Sequence, residues 1–428
     1  MSAIDPPAIC FQLMQTHEPG VQFMQLSRRV RNLKPSATLA VNAAVRRLHA
    51  EGRDVIAFGA GEPDFDTPQN IKQAAIDALS RGETHYTPVP GPPEARQAIA
   101  DKLRDENGIA CGPDDIVITA GGKHALFMVF QCLLDAGGDQ EVIVLTPAWV
   151  SYRPMIELAG GSVVEVPAAI DNDFKITAAQ LAGAITDRTA AVIINSPSNP
   201  CGTMYTPDEL RELAEVLRGH DHVSVISDEI YEKLIYGGID HLSPASLDSI
   251  AERVVTINGL SKAYAMTGWR IGYVCAPGGD PSLAKSIVKL QGQMTSNITS
   301  FCYAAVVEAL TNGGAAVEAM RATFAQRSVL MHRLLVAMPG ISCPRPTGAF
   351  YVFPEVGAHY GKRTPAGRVI DDSVSFATAL LEEAGVAVVP GADFGECGNR
   401  HVRLSFACSN EHIEEGCRRL DGWLRSLA

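Results

Sequence analysis

Residues 253–276 read RVVTINGLSKAYAMTGWRIGYVCA, and this stretch decides the fold class. Two short runs rich in β-branched and apolar residues, 253–258 and 272–276, are separated here by a polar connection. Apolar runs of this length without polar alternation are typical of strands that are buried on both faces of a sheet. Five similar runs come earlier in the chain, at 116–119, 141–145, 162–166, 191–195 and 223–227.

Segments with helical amphipathicity, such as 207–218, lie between several of these runs. Alternating strands and helices predict an α/β core with a mainly parallel seven-stranded sheet and helices on both faces. A long helical stretch follows from about Pro281 to Met338. Shorter strand patterns after it, at 348–353, 386–389 and 402–406, predict a smaller α+β domain.

The charge and composition exclude several classes of protein. The chain has 36 Lys and Arg against 48 Asp and Glu, which argues against nucleic-acid binding, since that depends on basic side chains. No apolar run approaches the roughly 18–20 residues of a membrane span. The first 25 residues lack Lys and Arg and suggest neither a secretory signal nor a transit peptide. The ten cysteines contain no C-x-x-C pair, so we expect a cytoplasmic protein without a metal centre.

Polar residues follow the predicted strands, where the carboxyl ends of a parallel sheet bind ligands. Gly121 and Gly122 lie between the first strand and a helix predicted at 125–134, where backbone amides can approach a phosphate. Lys262 comes just after the sixth strand, and a lysine desolvated in such a place can act as a Schiff-base nucleophile. Each feature alone is better explained as an ordinary turn or a solvated loop. Together with Asp228, Tyr231 and the groups around them, they match the requirements of pyridoxal phosphate.

Several motifs in the same order and spacing resemble the class I aminotransferases of pyridoxal-phosphate fold type I. They are GEPDF at 61–65, NSPSNPCG at 195–202, SDEIY at 227–231 and SKAYAMTGWRIG at 261–272. The resemblance extends from about Leu26 to the C-terminus. Three further motifs are KPS at 34–36, GGK at 121–123 and PAWVSY at 147–152. They are most similar to bacterial aspartate aminotransferases of subgroup Ib, some of which also act on prephenate.

The resemblance implies an enzyme that binds pyridoxal 5'-phosphate and moves the amino group of L-aspartate to 2-oxoglutarate by a ping-pong mechanism. Two alternatives remain open: a prephenate or aromatic aminotransferase, and a C–S β-lyase on the same scaffold. A serine hydrolase is disfavoured because the Gly259–Ala263 segment lacks the last glycine of a G-x-S-x-G elbow. The pair His412 and Glu415 has a spacing that suits a metal, but an exposed C-terminal helix explains it better.

The resemblance also implies a role for each site residue. Lys262 binds the cofactor covalently and acts as the general base, Asp228 pairs with the ring nitrogen, and Tyr231 donates to the ring oxygen; these three are the predicted catalytic residues. The other predicted cofactor contacts are Gly122, Lys123, Trp149, Asn199, Ser261, Arg270 and, from a neighbouring subunit, Tyr86. The predicted substrate contacts are Gly61, Lys123, Trp149, Asn199, Arg403, which takes the α-carboxylate, and Lys34.

A homodimer is implied by the role of Tyr86. The predicted domain limits are an N-terminal extension at 1–25, which is a candidate for disorder, an arm and part of the small domain at 26–70, the large cofactor-binding domain at 71–310 and the small domain at 311–428. One departure from the family pattern is Cys201, which stands where threonine is usual.

Overall fold

The computed structural model describes residues 24–33, 37–278 and 281–428. The chain divides into two units between residues 34 and 35. The first contains one short, exposed helix, α1 (Arg28–Arg31). Lys34 and most of the predicted N-terminal extension lie outside the described residues.

The described residues form twelve strands and thirteen α-helices. The strands are β1 (Ile56–Ala57), β2 (Ile116–Thr119), β3 (Glu141–Thr146), β4 (Ser162–Pro167), β5 (Thr189–Asn195), β6 (Ser224–Asp228), β7 (Val254–Gly259), β8 (Gly272–Cys275), β9 (Tyr351–Val352), β10 (Val386–Ala387), β11 (Val389–Pro390) and β12 (Val402–Ser405). The helices after α1 are α2 (Ala37–Ala50), α3 (Gln69–Ser80), α4 (Pro93–Asn107), α5 (Gly122–Leu133), α6 (Tyr152–Ala159), α7 (Ala178–Ala184), α8 (Pro207–Arg218), α9 (Ser282–Met294), α10 (Cys302–Asn312), α11 (Gly314–Val336), α12 (Ser373–Ala384) and α13 (Asn410–Arg425). None of these helices is both long and apolar enough to cross a membrane.

The main sheet has seven strands in the order β2-β8-β7-β6-β5-β3-β4. Neighbouring strands from β7 to β4 run parallel, whereas β8 is antiparallel to both β2 and β7. The connection from β7 to β8 contains no α-helix, so the chain returns directly beside the strand that it has just left. The predicted α/β class and all seven predicted strands are confirmed.

Residues of the main-sheet strands alternate between two hydrophobic cores, one on each face. In β2, for example, Ile116 and Ile118 belong to one core and Val117 to the other. Helices α5, α6 and α9 cover one face, while α3, α4, α8 and α10 contribute to the core on the other. Because both faces are buried, the strands need no polar alternation, which is the pattern in the sequence.

A further core lies around the C-terminal elements. It combines β9, β10 and β12 with α11, α12 and α13, and it includes Ile56 of β1. Here β11, β12 and β9 form an antiparallel sheet, and β1 pairs in parallel with β10. The strands are shorter than predicted, and the predicted long helix is divided into α9, α10 and α11. The predicted domain limits remain a prediction.

Candidate active site

A cavity of about 340 Å³ opens at the carboxyl ends of the parallel strands. Its size is that of a small-molecule site. The connections after β2, β3, β5, β6 and β7 contribute to its lining, together with β9 and β12. Eleven predicted site residues line it: Gly61, Gly122, Lys123, Trp149, Asn199, Asp228, Tyr231, Ser261, Lys262, Arg270 and Arg403.

One end of the cavity is suited to an anion. Helix α5 begins at Gly122, three residues earlier than predicted, and presents its N-terminal amides there. The Arg270 guanidinium lies against Gly121, where a Cβ atom would be 2.4 Å from its Nη2 atom, so only glycine permits this approach. Neither Arg270 nor Lys123 forms an ion pair within the described part of the chain. Partial desolvation in the cavity and the nearby Arg270 charge lower the pKa of Lys123.

Lys262 is positioned at the centre of the lining. Its Nζ atom donates a hydrogen bond to the carbonyl oxygen of Gly61. Burial is the main cause that lowers the pKa of Lys262, to about 8. A lysine with such a pKa has a larger neutral fraction near pH 7 than a solvated one, and the neutral amine is the form that attacks a carbonyl carbon.

Asp228 is a buried carboxylate at the end of β6. Its Oδ2 atom accepts a hydrogen bond from the Tyr152 hydroxyl at 2.6 Å. Burial raises the pKa of Asp228 to about 6, against the opposing effect of this bond. A cationic nitrogen beside the carboxylate would favour its charged form again. Tyr152 is the last residue of the PAWVSY motif, but no role in the site was predicted for it.

The burial of Asp228 predicts a pH-dependent stability of the cofactor-free protein. Burial raises the pKa of Asp228 from its ordinary value of 3.8 to about 6 in the folded protein. The neutral carboxyl group therefore contributes to the free energy of unfolding below about pH 4, and this contribution is lost as the pH rises to about 6. A shift of this size corresponds to roughly 3 kcal/mol. We therefore expect Asp228→Asn to stabilise the cofactor-free protein by that amount at about pH 7.5, and much less at about pH 4. Urea unfolding of both proteins measures the difference, and an equal difference at both pH values would contradict this assignment.

Arg403 of β12 is 2% exposed, yet it has no carboxylate partner among the described residues. Its Nη1 atom donates to Asn199 Oδ1 and its Nη2 atom to the Gly59 carbonyl oxygen, both at 3.0 Å. The guanidinium lies 4.6 Å from the Tyr351 ring centre and 5.2 Å from that of Phe394. Its Nε atom has no hydrogen-bond partner. A buried cation with neutral partners only is costly, so this end of the cavity is suited to a carboxylate.

Two tyrosines connect this cation with the centre of the cavity. The hydroxyl groups of Tyr231 and Tyr351 lie 3.0 Å apart. Burial raises the pKa of Tyr231 well above its ordinary value, so the phenol stays protonated and can donate. Trp149 also lines the cavity, and the Lys123 Nζ atom lies 5.0 Å from the centre of its ring. No role in the site was predicted for Tyr351, because an aromatic residue in an apolar run is typical of a hydrophobic core.

One predicted site residue, Tyr86, is not brought to the cavity. Tyr86 is 91% exposed and lines separate surface depressions. Lys34 lies outside the described residues. Cys201 is buried and does not line the cavity, and its pKa is raised by burial. Glu415 accepts hydrogen bonds from Arg418 and Arg419 in the same helix. This supports the explanation that His412 and Glu415 belong to an exposed C-terminal helix rather than to a metal site.

Comparison with known proteins identifies the family. Residues 53–420 match the family "Aminotransferase class I and II". A probable aspartate/prephenate aminotransferase of Rhizobium leguminosarum bv. phaseoli is 46% identical over 92% of this chain and 97% of its own length. The aspartate aminotransferase of Geobacillus stearothermophilus is 46% identical over 95% and 100% of the two chains.

Solved structures agree in fold. The aspartate aminotransferase of Rhizobium meliloti has a TM-score of 0.90 at 40% identity, covering 95% of this chain and all of its own. The Thermus thermophilus aspartate aminotransferase solved with maleate has a TM-score of 0.86 at 43% identity, covering 94% and 100%. These similarities confirm the resemblance and the fold that the motifs predicted. The chain belongs to the family of class I and II aminotransferases.

Proposed function

We propose that this protein is a pyridoxal-phosphate-dependent aspartate aminotransferase, which transfers the amino group of L-aspartate to 2-oxoglutarate by a ping-pong mechanism. The observation that carries the proposal is the balance of charge in the cavity. Four cationic side chains line it, from Lys123, Lys262, Arg270 and Arg403, against the single carboxylate of Asp228. Such a site suits ligands with several anionic groups.

The donor set fits pyridoxal phosphate. The phosphate would be held by the first amides of α5 with Ser261 and Arg270, and the ring nitrogen by Asp228. Tyr231 and Asn199 would donate to the ring oxygen, and Trp149 would stack on the ring. When bound, this cofactor supplies an aldehyde and an electron-withdrawing ring.

The residues of the chain supply positioning and proton transfer. The neutral amine of Lys262 is the group that would bind the aldehyde carbon and later move the proton at the substrate Cα atom. Asp228 keeps a negative charge at the ring nitrogen, and Tyr152 fixes the orientation of its carboxylate. Arg403 orients the α-carboxylate with a planar fork, and Gly61 leaves room beside it.

Lys123 is the cation that remains for a second carboxylate of the substrate. It is exposed at the cavity, beside Trp149. Relatives that are named for aspartate, and a relative solved with the dicarboxylate maleate, support this assignment. Prephenate also carries two carboxylates, and some relatives are named for aspartate/prephenate, so prephenate is the second candidate for the amino-group acceptor.

The half-reaction with aspartate tests this function. Protein loaded with pyridoxal phosphate should lose the absorbance of the aldehyde form when L-aspartate is added without a keto acid, and 2-oxoglutarate should restore it. Lys123→Met should slow the half-reaction with aspartate at least about tenfold, which corresponds to a loss of about 1.4 kcal/mol of interaction free energy. The half-reaction with an aromatic amino donor should be slowed less. Lys285→Met, on an exposed part of α9, is the control.

Three other outcomes would redirect the proposal. A response to aromatic donors but not to aspartate would show that the substrate class is wrong while the cofactor assignment holds. Pyruvate and ammonia formed without a keto acid would indicate a lyase. Failure to bind pyridoxal phosphate would overturn the proposed function as a whole.

We further propose a cytoplasmic homodimer in which Tyr86 reaches the cofactor phosphate of the partner subunit. The exposure of Tyr86 and its distance from the cavity of its own chain are consistent with this role. The following segment is anchored, since Gln291 Nε2 donates to the Val89 carbonyl oxygen at 2.9 Å. Nine free cysteines among the described residues favour a reducing compartment. The predicted role of Lys34 in substrate binding stays a prediction, since this residue lies outside the described part of the chain.

A further inference from the structure

A buried polar network lies beneath the turn that carries Asp228 and Tyr231. Glu229 and Glu232 belong to the same turn but do not line the cavity. They are only 1% and 8% exposed. Two buried carboxylates next to a binding site are costly unless hydrogen bonds and an opposite charge compensate them.

The network satisfies both carboxylates. Glu232 accepts hydrogen bonds from Lys102 Nζ, from Asn107 Nδ2 and, at 2.9 Å, from Asn258 Nδ2. Burial raises the pKa of Glu232, but the Lys102 charge, the nearby His241 and the hydrogen bonds from Lys102 and Asn107 lower it to about 2.

Glu229 is held by neutral donors. It accepts from the hydroxyl groups of Ser227 at 2.9 Å and Ser243 at 2.6 Å. Asn107 Nδ2 lies 3.3 Å from its Oε2 atom and so links the two carboxylates.

Glu232 connects two of the segments that hold proposed cofactor contacts. One is the turn after β6, in which Glu232 directly follows Tyr231. The other is the end of β7, where Asn258 Oδ1 also accepts from the Gly259 amide at 2.7 Å. Lys262 comes three residues after Gly259. A third element, α4, supplies Lys102 and Asn107 and ties both segments to the body of the protein.

A metal site is a weaker explanation of this network. Glu229, Glu232 and His241 offer ligand atoms within 4.8 Å of one another. However, the Lys102 ammonium group already bonds to Glu232 and supplies the positive charge that a metal would bring. Three amide and amine donors also occupy the Glu232 oxygens.

We propose that Glu232, together with Lys102 and Asn258, is a positioning residue that fixes Asp228, Tyr231 and Lys262 relative to one another for cofactor binding. This inference rests on the proposed function. The Lys102–Glu232 pair then affects the geometry of the site as well as the stability of the fold. Small displacements of groups that must act together are enough for a large loss of function.

Glu232→Gln, Lys102→Met and the double variant test the proposal. Lys102→Met removes the buried cation that bonds to Glu232, and Glu232→Gln leaves Lys102 with only the more distant Glu106 carboxylate, at 3.8 Å, whereas the double variant removes both charges of the buried pair. We expect the single variants to weaken pyridoxal phosphate binding roughly tenfold to hundredfold and to shift the pH midpoint of the bound cofactor's absorbance. The double variant should recover part of both losses. Absorbance titrations with cofactor and with pH give these quantities without measuring turnover.

A second Lys–Glu pair provides the matched control. Lys175 and Glu209 bond at 2.6 Å and lie outside the cavity lining. Lys175→Met and Glu209→Gln should lower the melting temperature but leave cofactor affinity and the pH midpoint unchanged. If Glu232→Gln does not fold, the double variant answers the same question, because it contains no unpaired charge.

Two results would overturn the inference. Native cofactor affinity and pH midpoint in all three network variants, with lower melting temperatures alone, would show a purely structural pair while the proposed function stands. Failure of the native protein itself to bind pyridoxal phosphate would overturn both proposals.

Discussion

Lys262→Ala should reduce turnover by about ten-thousandfold or more, because it removes the group proposed to bind the cofactor and to move the substrate proton. Alanine has neither a nucleophile nor a base, and the Gly61 carbonyl oxygen loses its partner. Cofactor binding through the phosphate end and Asp228 should persist, because those contacts remain. Single-turnover kinetics with aspartate measure the loss. Borohydride reduction followed by peptide mass spectrometry shows whether the cofactor is attached to residue 262.

Lys262→Arg separates charge from nucleophilicity. Arginine keeps a positive charge but is not deprotonated in proteins, so we expect a loss similar to that of alanine. Lys285→Ala, an exposed change on α9, should have native activity. Appreciable turnover in Lys262→Ala, or cofactor attached to another lysine of the native protein, would show that Lys262 is not the reactive amine.

Arg403→Lys should weaken aspartate binding about a hundredfold, equivalent to about 3 kcal/mol, which is within the range for a buried charge contact. The guanidinium bonds to Asn199 and Gly59 and packs between Tyr351 and Phe394. An ammonium group is a compact donor that cannot keep this stacking and also present a planar fork to a carboxylate. The dependence of the single-turnover rate on aspartate concentration, measured by stopped-flow absorbance, gives the apparent dissociation constant.

Arg400→Lys is the control for this change. Arg400 lies just before β12, and its side chain is half exposed and paired with Glu355. This exchange should leave aspartate binding within about twofold, since exposed pairs contribute little. Aspartate binding that is unchanged in Arg403→Lys would remove Arg403 from the substrate site, and the orphaned Nε atom would then need another explanation.

The sequence pattern was a good guide to the main sheet because burial on both faces leaves a continuous apolar signal. It was a poorer guide to boundaries. The start of α5 at Gly122 was predicted too late, since glycines are poor helix formers and gave no sign that the helix begins there. The direction of β8 relative to its neighbours was not specified either, because an apolar run has the same appearance in parallel and antiparallel pairs.

Eleven of the residues predicted from the motifs line the cavity, whereas the residues that support them carry no such signal. Tyr152 bonds to Asp228 over a separation of 76 residues, and Tyr351 lies beside Tyr231 over 120. Contacts at such separations are properties of the fold and leave no local pattern. The same is true of Lys102, which bonds to Glu232 over 130 residues. The proposed role of Tyr86 requires a second chain, so it remains a prediction.

The shared location of the proposed cofactor and substrate contacts constrains how this enzyme could be engineered. Lys123, assigned to the substrate side chain, is the neighbour of Gly122 in the first turn of α5, so changes to selectivity there put phosphate binding at risk. Leu126, Val150 and Ser151 also line the cavity, but none has an assigned cofactor contact. Leu126 lies four residues after Gly122, on the same face of α5. Libraries directed to these three positions would explore new substrates while the catalytic apparatus stays intact.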